Sequence, residues 1–286
     1  MFFQNRNLSG ISYSINNHVL QFLPFYLVAY LSSSNRQNYP QQFFYGSKNL
    51  FKAKNTINPK LQTIFADEIA NFPGRWAVVV KDLKTQHAYQ FNENEIFVSA
   101  SLYKLAVMFA VFDEIENGQL KLDDAIGNTT IEDALNAMIT ISDNETALAL
   151  AEKIGWTKID DLMANFGMPG IDLISENGPY TDAASMVTLL ERIYKKSAVS
   201  PNASVKMKEL LLQQQINDRI PKYLPPGVKV AHKTGEIDSL RHDAAIVLGK
   251  KSDYIFVFLA DTNLPGETPE VIAQLSKKIY DTLENQ

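Results

Sequence analysis

Apolar positions first fall into a helical rhythm between Pro59 and Asn71. There Leu61, Ile64, Phe65 and Ile69 share one face, and Phe72-Pro73-Gly74 closes the segment. Trp76–Val80 and His87–Phe91 then read as strands flanking Asp82-Leu83-Lys84-Thr85, a hairpin pattern. A long apolar stretch from Leu102 to Phe112, ending at Asn117-Gly118, predicts a largely buried helix that opens at Ser101.

The middle of the chain is helical in pattern. Thr130 and Asp133 approximate a capping box ahead of Leu135, Met138 and Ile139. Ile159, Leu162, Met163 and Phe166 stop at Gly167, and Met186, Leu189, Leu190 and Ile193 mark a further helix. Three strands follow, Val228–His232, Ala244–Leu248 and Tyr254–Ala260, and Thr268-Pro269-Glu270 reads as the N-cap and first turn of a last helix. The class is α+β. An antiparallel sheet is expected from about 74–98 and 228–260, flanked by helices, with a helical part at about 101–215.

Residues 1–57 differ in kind from the rest, being rich in Asn, Gln, Ser and Phe. Their one apolar run, Val19–Leu31, is short for a membrane span and suits the core of a signal or anchor segment, with possible membrane contact. Residues 1–57 are therefore expected to form a signal- or anchor-like segment and linker, and 58–286 the catalytic domain. Export to a periplasmic or other extracytoplasmic site follows from that reading.

A net charge of −5 gives no reason to expect nucleic-acid binding. The absence of cysteine removes disulfides and thiol catalysis. Four histidines (His18, His87, His232 and His242) without an H-E-x-x-H string support a zinc hydrolase poorly, and no cofactor or metal is expected.

Three strings carry the chemistry: Ser101-Leu102-Tyr103-Lys104, Ser142-Asp143-Asn144 and Lys233-Thr234-Gly235. An S-x-x-K arises by chance roughly once in a chain of this length, but each of the other triplets in fewer than about one chain in ten. A serine hydroxyl needs a base to take its proton as it attacks. The i, i+3 spacing sets Lys104 on the same helix face as Ser101, and apolar surroundings disfavour its ammonium form. The helix start favours negative charge developing beside Ser101. Taken singly, each string also has a plain reading: Ser101 and Ser142-Asp143-Asn144 as helix caps, Lys233-Thr234-Gly235 as a strand end and turn. His232 and His242 read as structural or solvated.

In combination the strings resemble those of the penicillin-recognising serine enzymes, the superfamily of class A β-lactamases and D-Ala-D-Ala peptidases, over roughly residues 58–286. The resemblance implies a β-lactamase/transpeptidase-like fold in which Ser101 is acylated and Lys104 is a base or proton relay. It implies that Ser142 passes a proton to the leaving group and Asn144 binds the substrate's amide side chain. Lys233 and Thr234 would address a substrate carboxylate, and the N–H groups of Ser101 and Glu236 would form an oxyanion hole.

Departures from the pattern bear on substrate. The E-x-x-L-N string of the class A Ω-loop is missing, and residues 168–181 leave Glu176 as the one glutamate available. Glu236 replaces the usual small residue after the triplet, close to the anion subsite, and Arg241 stands where a compensating cation could sit. A D,D-peptidase acting on a peptidoglycan stem peptide is the leading expectation. A true β-lactamase is second, and a non-catalytic cell-wall-binding protein third.

Overall fold

The computed structural model describes residues 59–69, 72–176 and 178–285. The apolar run at 19–31 and the signal or anchor expectation lie outside them. Among the described residues no helix is long and apolar enough to cross a membrane.

Helix α1 (Pro59–Ile69) leads into strands β1 (Arg75–Asp82) and β2 (Ala88–Phe91), which form the expected hairpin. Short β3 (Phe97–Val98) enters a 3-10 turn (Ala100–Leu102) and then α2 (Tyr103–Glu116). A small hairpin, β4 (Ala125–Ile126) with β5 (Thr129–Thr130), precedes α3 (Ile131–Thr140), α4 (Asn144–Ile154) and α5 (Trp156–Asn165). Strand β6 (Tyr180–Thr181) pairs with β3, and α6 (Ala183–Tyr194) and α7 (Pro201–Leu211) complete the helical part. The chain returns to the sheet as β7 (Lys229–Ile237), β8 (Leu240–Leu248) and β9 (Asp253–Asp261), and ends in α8 (Thr268–Glu284).

The sheet is antiparallel throughout, in the order β2-β1-β9-β8-β7. Its period-2 alternation builds two cores, because successive side chains leave opposite faces of a strand. Trp76, Val78 and Val80 of β1, with Tyr254, Phe256 and Phe258 of β9, pack against Leu61 and Phe65 of α1 and Ile272 and Ile279 of α8. Ala77 and Val79, with Ile255, Val257 and Leu259, face the helical part. Helix α2 lies within that second core and is buried on every side from Tyr103 to Phe112, which accounts for its lack of polar periodicity. Each of these fully buried aliphatic or aromatic side chains contributes about 1.5–3 kcal/mol, so the start of α2 is held rigidly.

Several local expectations need correcting. Ser101 lies within the 3-10 turn rather than opening α2, whose N-cap is Leu102 with no side-chain cap. The last helix takes Glu267, not Thr268, as its N-cap. Thr268 instead donates its hydroxyl back to the Leu264 carbonyl at 2.8 Å. Strand β7 runs on through Lys233-Thr234-Gly235 to Ile237, so the triplet is mid-strand and not a turn. Thr130 does cap α3, accepting from the Asp133 N–H at 3.1 Å.

Candidate active site

Two elements converge at the edge strand β7. The first is the 3-10 turn carrying Ser101. Its approach is fixed from both sides, since the Ser99 N–H donates to the Pro179 carbonyl at 2.8 Å and His242 Nε2 donates to the Val98 carbonyl at 2.9 Å. His242 Nδ1 accepts from the Ala260 N–H at 3.1 Å, so the imidazole is neutral and staples β3 to β8 and β9. Complete burial depresses its pKa to about 4. Ala100, just before Ser101, takes a φ of 46°, a left-handed conformation that side chains with a Cβ avoid.

Gly235 explains how β7 can lie against that turn. A Cβ there would stand 3.1 Å from the Ser99 carbonyl oxygen and 3.2 Å from Leu102 Cγ, tighter than ordinary packing. The glycine of the third string is thus a contact residue for the segment that presents Ser101.

The second element is the α3–α4 connection. Asp143 caps α4, accepting from both the Thr146 N–H and its hydroxyl at 2.8 Å. The Thr146 backbone bond, foremost, keeps the Asp143 carboxyl below the usual carboxylate range. Capping therefore belongs to Asp143, which frees its neighbours: Ser142 sits at φ 61°, and its carbonyl and hydroxyl both face the buried amines.

The amines come from α2 and β7. Lys104 has no solvent exposure and donates to the Ser142 carbonyl at 2.6 Å, Asn144 Oδ1 at 2.6 Å and Ser142 Oγ at 3.2 Å. Lys233, equally buried, lies 2.9 Å from Ser142 Oγ and donates to the Thr234 carbonyl at 2.8 Å. Burial lowers the Lys104 pKa to about 8, with the Asp143 charge opposing. Burial, then the positive charge of Lys104, push Lys233 well below its ordinary value. Two ammonium groups facing one hydroxyl repel, so Lys233 gives up its proton readily, and a neutral amine can accept from Ser142.

The structure thus joins Lys104, Ser142, Asn144 and Lys233 in one hydrogen-bonded cluster. Lys104 is bonded within it rather than to Ser101, which is half-buried at the adjoining turn. Asn144, read as a substrate ligand, here holds Lys104 with its side-chain oxygen. Thr234 is 3% exposed on the neighbouring β7 position.

Glu236 and Arg241 are cross-strand partners. Arg241 donates from one terminal nitrogen to the β7–β8 turn, to the Asp238 carbonyl at 3.0 Å and the Leu240 carbonyl at 2.7 Å, and its other terminal nitrogen stands 3.5 Å from Glu236. The stronger partner of Glu236 is Arg219, which the sequence reading missed. Arg219 is fully buried, and its charge is felt at both Lys233 and His242. The next residue, Ile220, joins a separate network, where His232 Nδ1 lies 2.9 Å from Asp243, Asp243 accepts from the Ile220 N–H at 3.1 Å, and His232 Nε2 meets Asn217 at 3.1 Å. The string Asn217-Asp218-Arg219 sits in an irregular connection with no periodicity, so only its charge could have drawn attention.

The loop spanning 168–180 is held by acidic groups of its own and of the helices on either side of it. Asp160 accepts from the Leu173 N–H at 2.7 Å and the Ile174 N–H at 3.3 Å, and Asp172 also accepts from Ile174 at 3.2 Å. Asp182 caps α6 through the Ser185 N–H at 2.7 Å and presses against Gly170, where a Cβ would stand 2.1 Å from its oxygen. Glu176 is exposed in a turn. Among the described residues, no carboxylate is hydrogen-bonded to Lys104, Ser142 or Lys233.

Comparison with known proteins decides the family. The profile of the beta-lactamase enzyme family matches residues 58–283. The chain belongs to this family. A curated relative, "Beta-lactamase BRO-1" of Moraxella catarrhalis, is 26% identical, the match covering 54% of this chain and 56% of that protein. The shared region is thus little more than half of the relative's length. Among solved structures, "PBP-A" superposes with a TM-score of 0.75 at 19% identity, covering 80% of this chain and 97% of the other. A beta-lactamase from Sphaerobacter thermophilus gives 0.73 at 18%, covering 79% and 97%. At such identities the superpositions establish the fold, which is the β-lactamase/transpeptidase-like α+β arrangement.

Proposed function

We propose that this protein is a serine hydrolase that forms an acyl-enzyme on Ser101 with β-lactams or D-Ala-D-Ala-type peptides, and that it releases the penicilloyl group slowly, as a D,D-peptidase or penicillin-binding protein does. Ser101 attacks the carbonyl while neutral Lys104 takes its proton. Ser142, bonded to both amines, carries a proton to the leaving nitrogen. The single observation that favours slow release is the fate of the carboxylates around the 168–180 loop: Asp160, Asp172 and Asp182 bind backbone N–H groups of the loop and of α6, and Glu176 is exposed in a turn. A deacylation base must reach a water within about 3 Å, and a carboxylate committed to a cap is not free to do so. The neighbour described as a PBP-A mutant in acyl-enzyme complex with penicillin G, at 18% identity and TM-score 0.74, agrees with this reading. A peptidoglycan substrate would go with export through the apolar run at 19–31.

The second reading, a true β-lactamase, rests on the name of the Moraxella relative. A fluorescent penicillin separates the two. Label that stays on Ser101, located by mass spectrometry, for many minutes supports the peptidase reading. Turnover at tens per second, in the range of an efficient enzyme, that disappears in Glu176→Gln supports the β-lactamase and overturns slow release. An adduct that persists in Ser101→Ala refutes the nucleophile.

A further inference from the structure

The end of α3 and strand β7 lie to either side of Ser142, and a side chain outside the three strings helps to join them. A helix leaves its last carbonyls without partners of its own. At the end of α3 the segment after α7 takes up two of them: Gln214 Nε2 donates to the Ile139 carbonyl at 2.7 Å, and the Gln215 N–H donates to the Thr140 carbonyl at 2.9 Å. Gln214 is 6% exposed, and the other half of its amide is committed as well. Its Oε1 accepts from the Gln215 N–H at 3.0 Å and the Ile216 N–H at 2.9 Å. One buried amide thus folds residues 214–216 around itself and fastens them to the helix end two positions before Ser142.

The same segment reaches the sheet. Asn217 Nδ2 donates to the Gln214 carbonyl at 3.1 Å, and Asn217 Oδ1 meets His232 Nε2 at 3.1 Å. His232 immediately precedes Lys233, whose Nζ lies 2.9 Å from Ser142 Oγ. Asp243 of β8 ties His232 Nδ1 to the Ile220 N–H, which closes the segment on the sheet a second time. A series of hydrogen bonds therefore runs from the end of α3 through Gln214 and Asn217 to the strand that bears Lys233, alongside the direct contact between Ser142 and Lys233. Ser142 belongs to neither α3 nor α4, so the placing of its hydroxyl depends on how its two sides are fastened.

We propose that Gln214 is a positioning residue for proton transfer to the leaving group: by holding the Ser142 side of the site to the Lys233 side, it sets the contact between Ser142 Oγ and the two amines. This rests on the acyl-transfer reading above for its setting, and adds a residue that acts through Ser142 without touching substrate.

The test uses two acyl donors with different leaving groups, benzylpenicillin and a thioester of an N-acyl-D-alanine. The penicillin nitrogen must be protonated as its C–N bond breaks, whereas a thiolate leaves without a proton. Gln214→Met keeps the bulk and loses the hydrogen bonds, and Asn217→Ala breaks the next link at an exposed position, so it decides the matter if Gln214→Met does not fold. Normalised to folded protein, acylation by penicillin should slow about 10-fold or more in both variants, while acylation by the thioester stays within about 2-fold of the wild type. Equal losses with the two donors mark a merely structural role and overturn the proposal, as do rates unchanged with both. A second readout needs no acyl transfer. In Ser101→Ala protein carrying isotope-labelled lysine, the NMR titration midpoints of Lys104 and Lys233 should each move by about half a pH unit or more when either link is cut, the scale of one lost hydrogen bond. Midpoints that stay in place overturn the inference whatever Ser101 does. Midpoints that move, in a protein whose Ser101 form takes up neither donor, uphold the inference and sink only the acyl-transfer reading.

Discussion

Lys104 can act as a base only in its neutral form, and the structure sets the pH at which that form appears. Burial brings its pKa to about 8 from an ordinary 10.5, a difference worth about 3 kcal/mol. At pH 7 roughly one molecule in ten then carries the neutral amine, and at pH 6 roughly one in a hundred. Acylation of Ser101 should accordingly fall about tenfold between pH 7 and pH 6 and level off above about pH 9. Stability should move in step with the same proton. The folded pKa is lower than the unfolded one, so the unfolded chain binds more protons between about pH 8 and 10.5, and stability rises with pH across that window by up to about 3 kcal/mol. Below pH 8 both states hold the proton and the cost of the buried ammonium is present in full. Stopped-flow acylation with a chromogenic cephalosporin measures the first effect, and urea denaturation at pH 7.5 and 10 the second. Lys104→Met should lose its own share of the stability slope, leaving that of the equally buried Lys233, and acylate on the order of 10²-fold more slowly or worse. A flat acylation profile from pH 6 to 9, or a Lys104→Met protein that acylates at the wild-type rate, would refute the assignment of Lys104 as base.

Other expectations follow from contacts around the same cluster. Gly235→Ala should cost about 1–2 kcal/mol in urea midpoint analysis, because its Cβ presses on Ser99 and Leu102, and should slow acylation by displacing the Ser101 turn. Ser142→Gly should be more stable than Ser142→Ala by about 1 kcal/mol, since the position is left-handed, while both lose the hydroxyl relay; equal thermal midpoints would argue against strain there. His242 has a folded pKa of about 4, below its unfolded value, so the unfolded chain takes up the extra proton and stability falls as pH drops from about 6.5 to 4; this part of the slope should vanish in His242→Gln.

What the sequence made legible was whatever depends on local rules. The helix rhythm of α1 and the capping by Thr130 follow from neighbours a few positions away, and so does the hairpin of β1 and β2. The three strings identified Ser142, Asn144, Lys104 and Lys233 as companions, and the structure bonds these four together. What stayed hidden depends on distant partners. Asp143 outcompetes Ser142 as the cap of α4 because its carboxylate accepts twice from Thr146, a choice that composition alone leaves open. The register of β7 against β8 puts Glu236 opposite Arg241, and only the irregular connection before β7 brings Arg219 to the same carboxylate. A guanidinium in an aperiodic segment carries no signal of burial, since arginine is ordinarily a surface residue. The reading of Glu236 as an obstacle to anionic substrates was available from its position beside the third string. Its pairing with two arginines was not. The companions of the cluster were therefore visible in short strings, whereas the Arg219–Glu236 pair joins residues seventeen positions apart that no local pattern encodes.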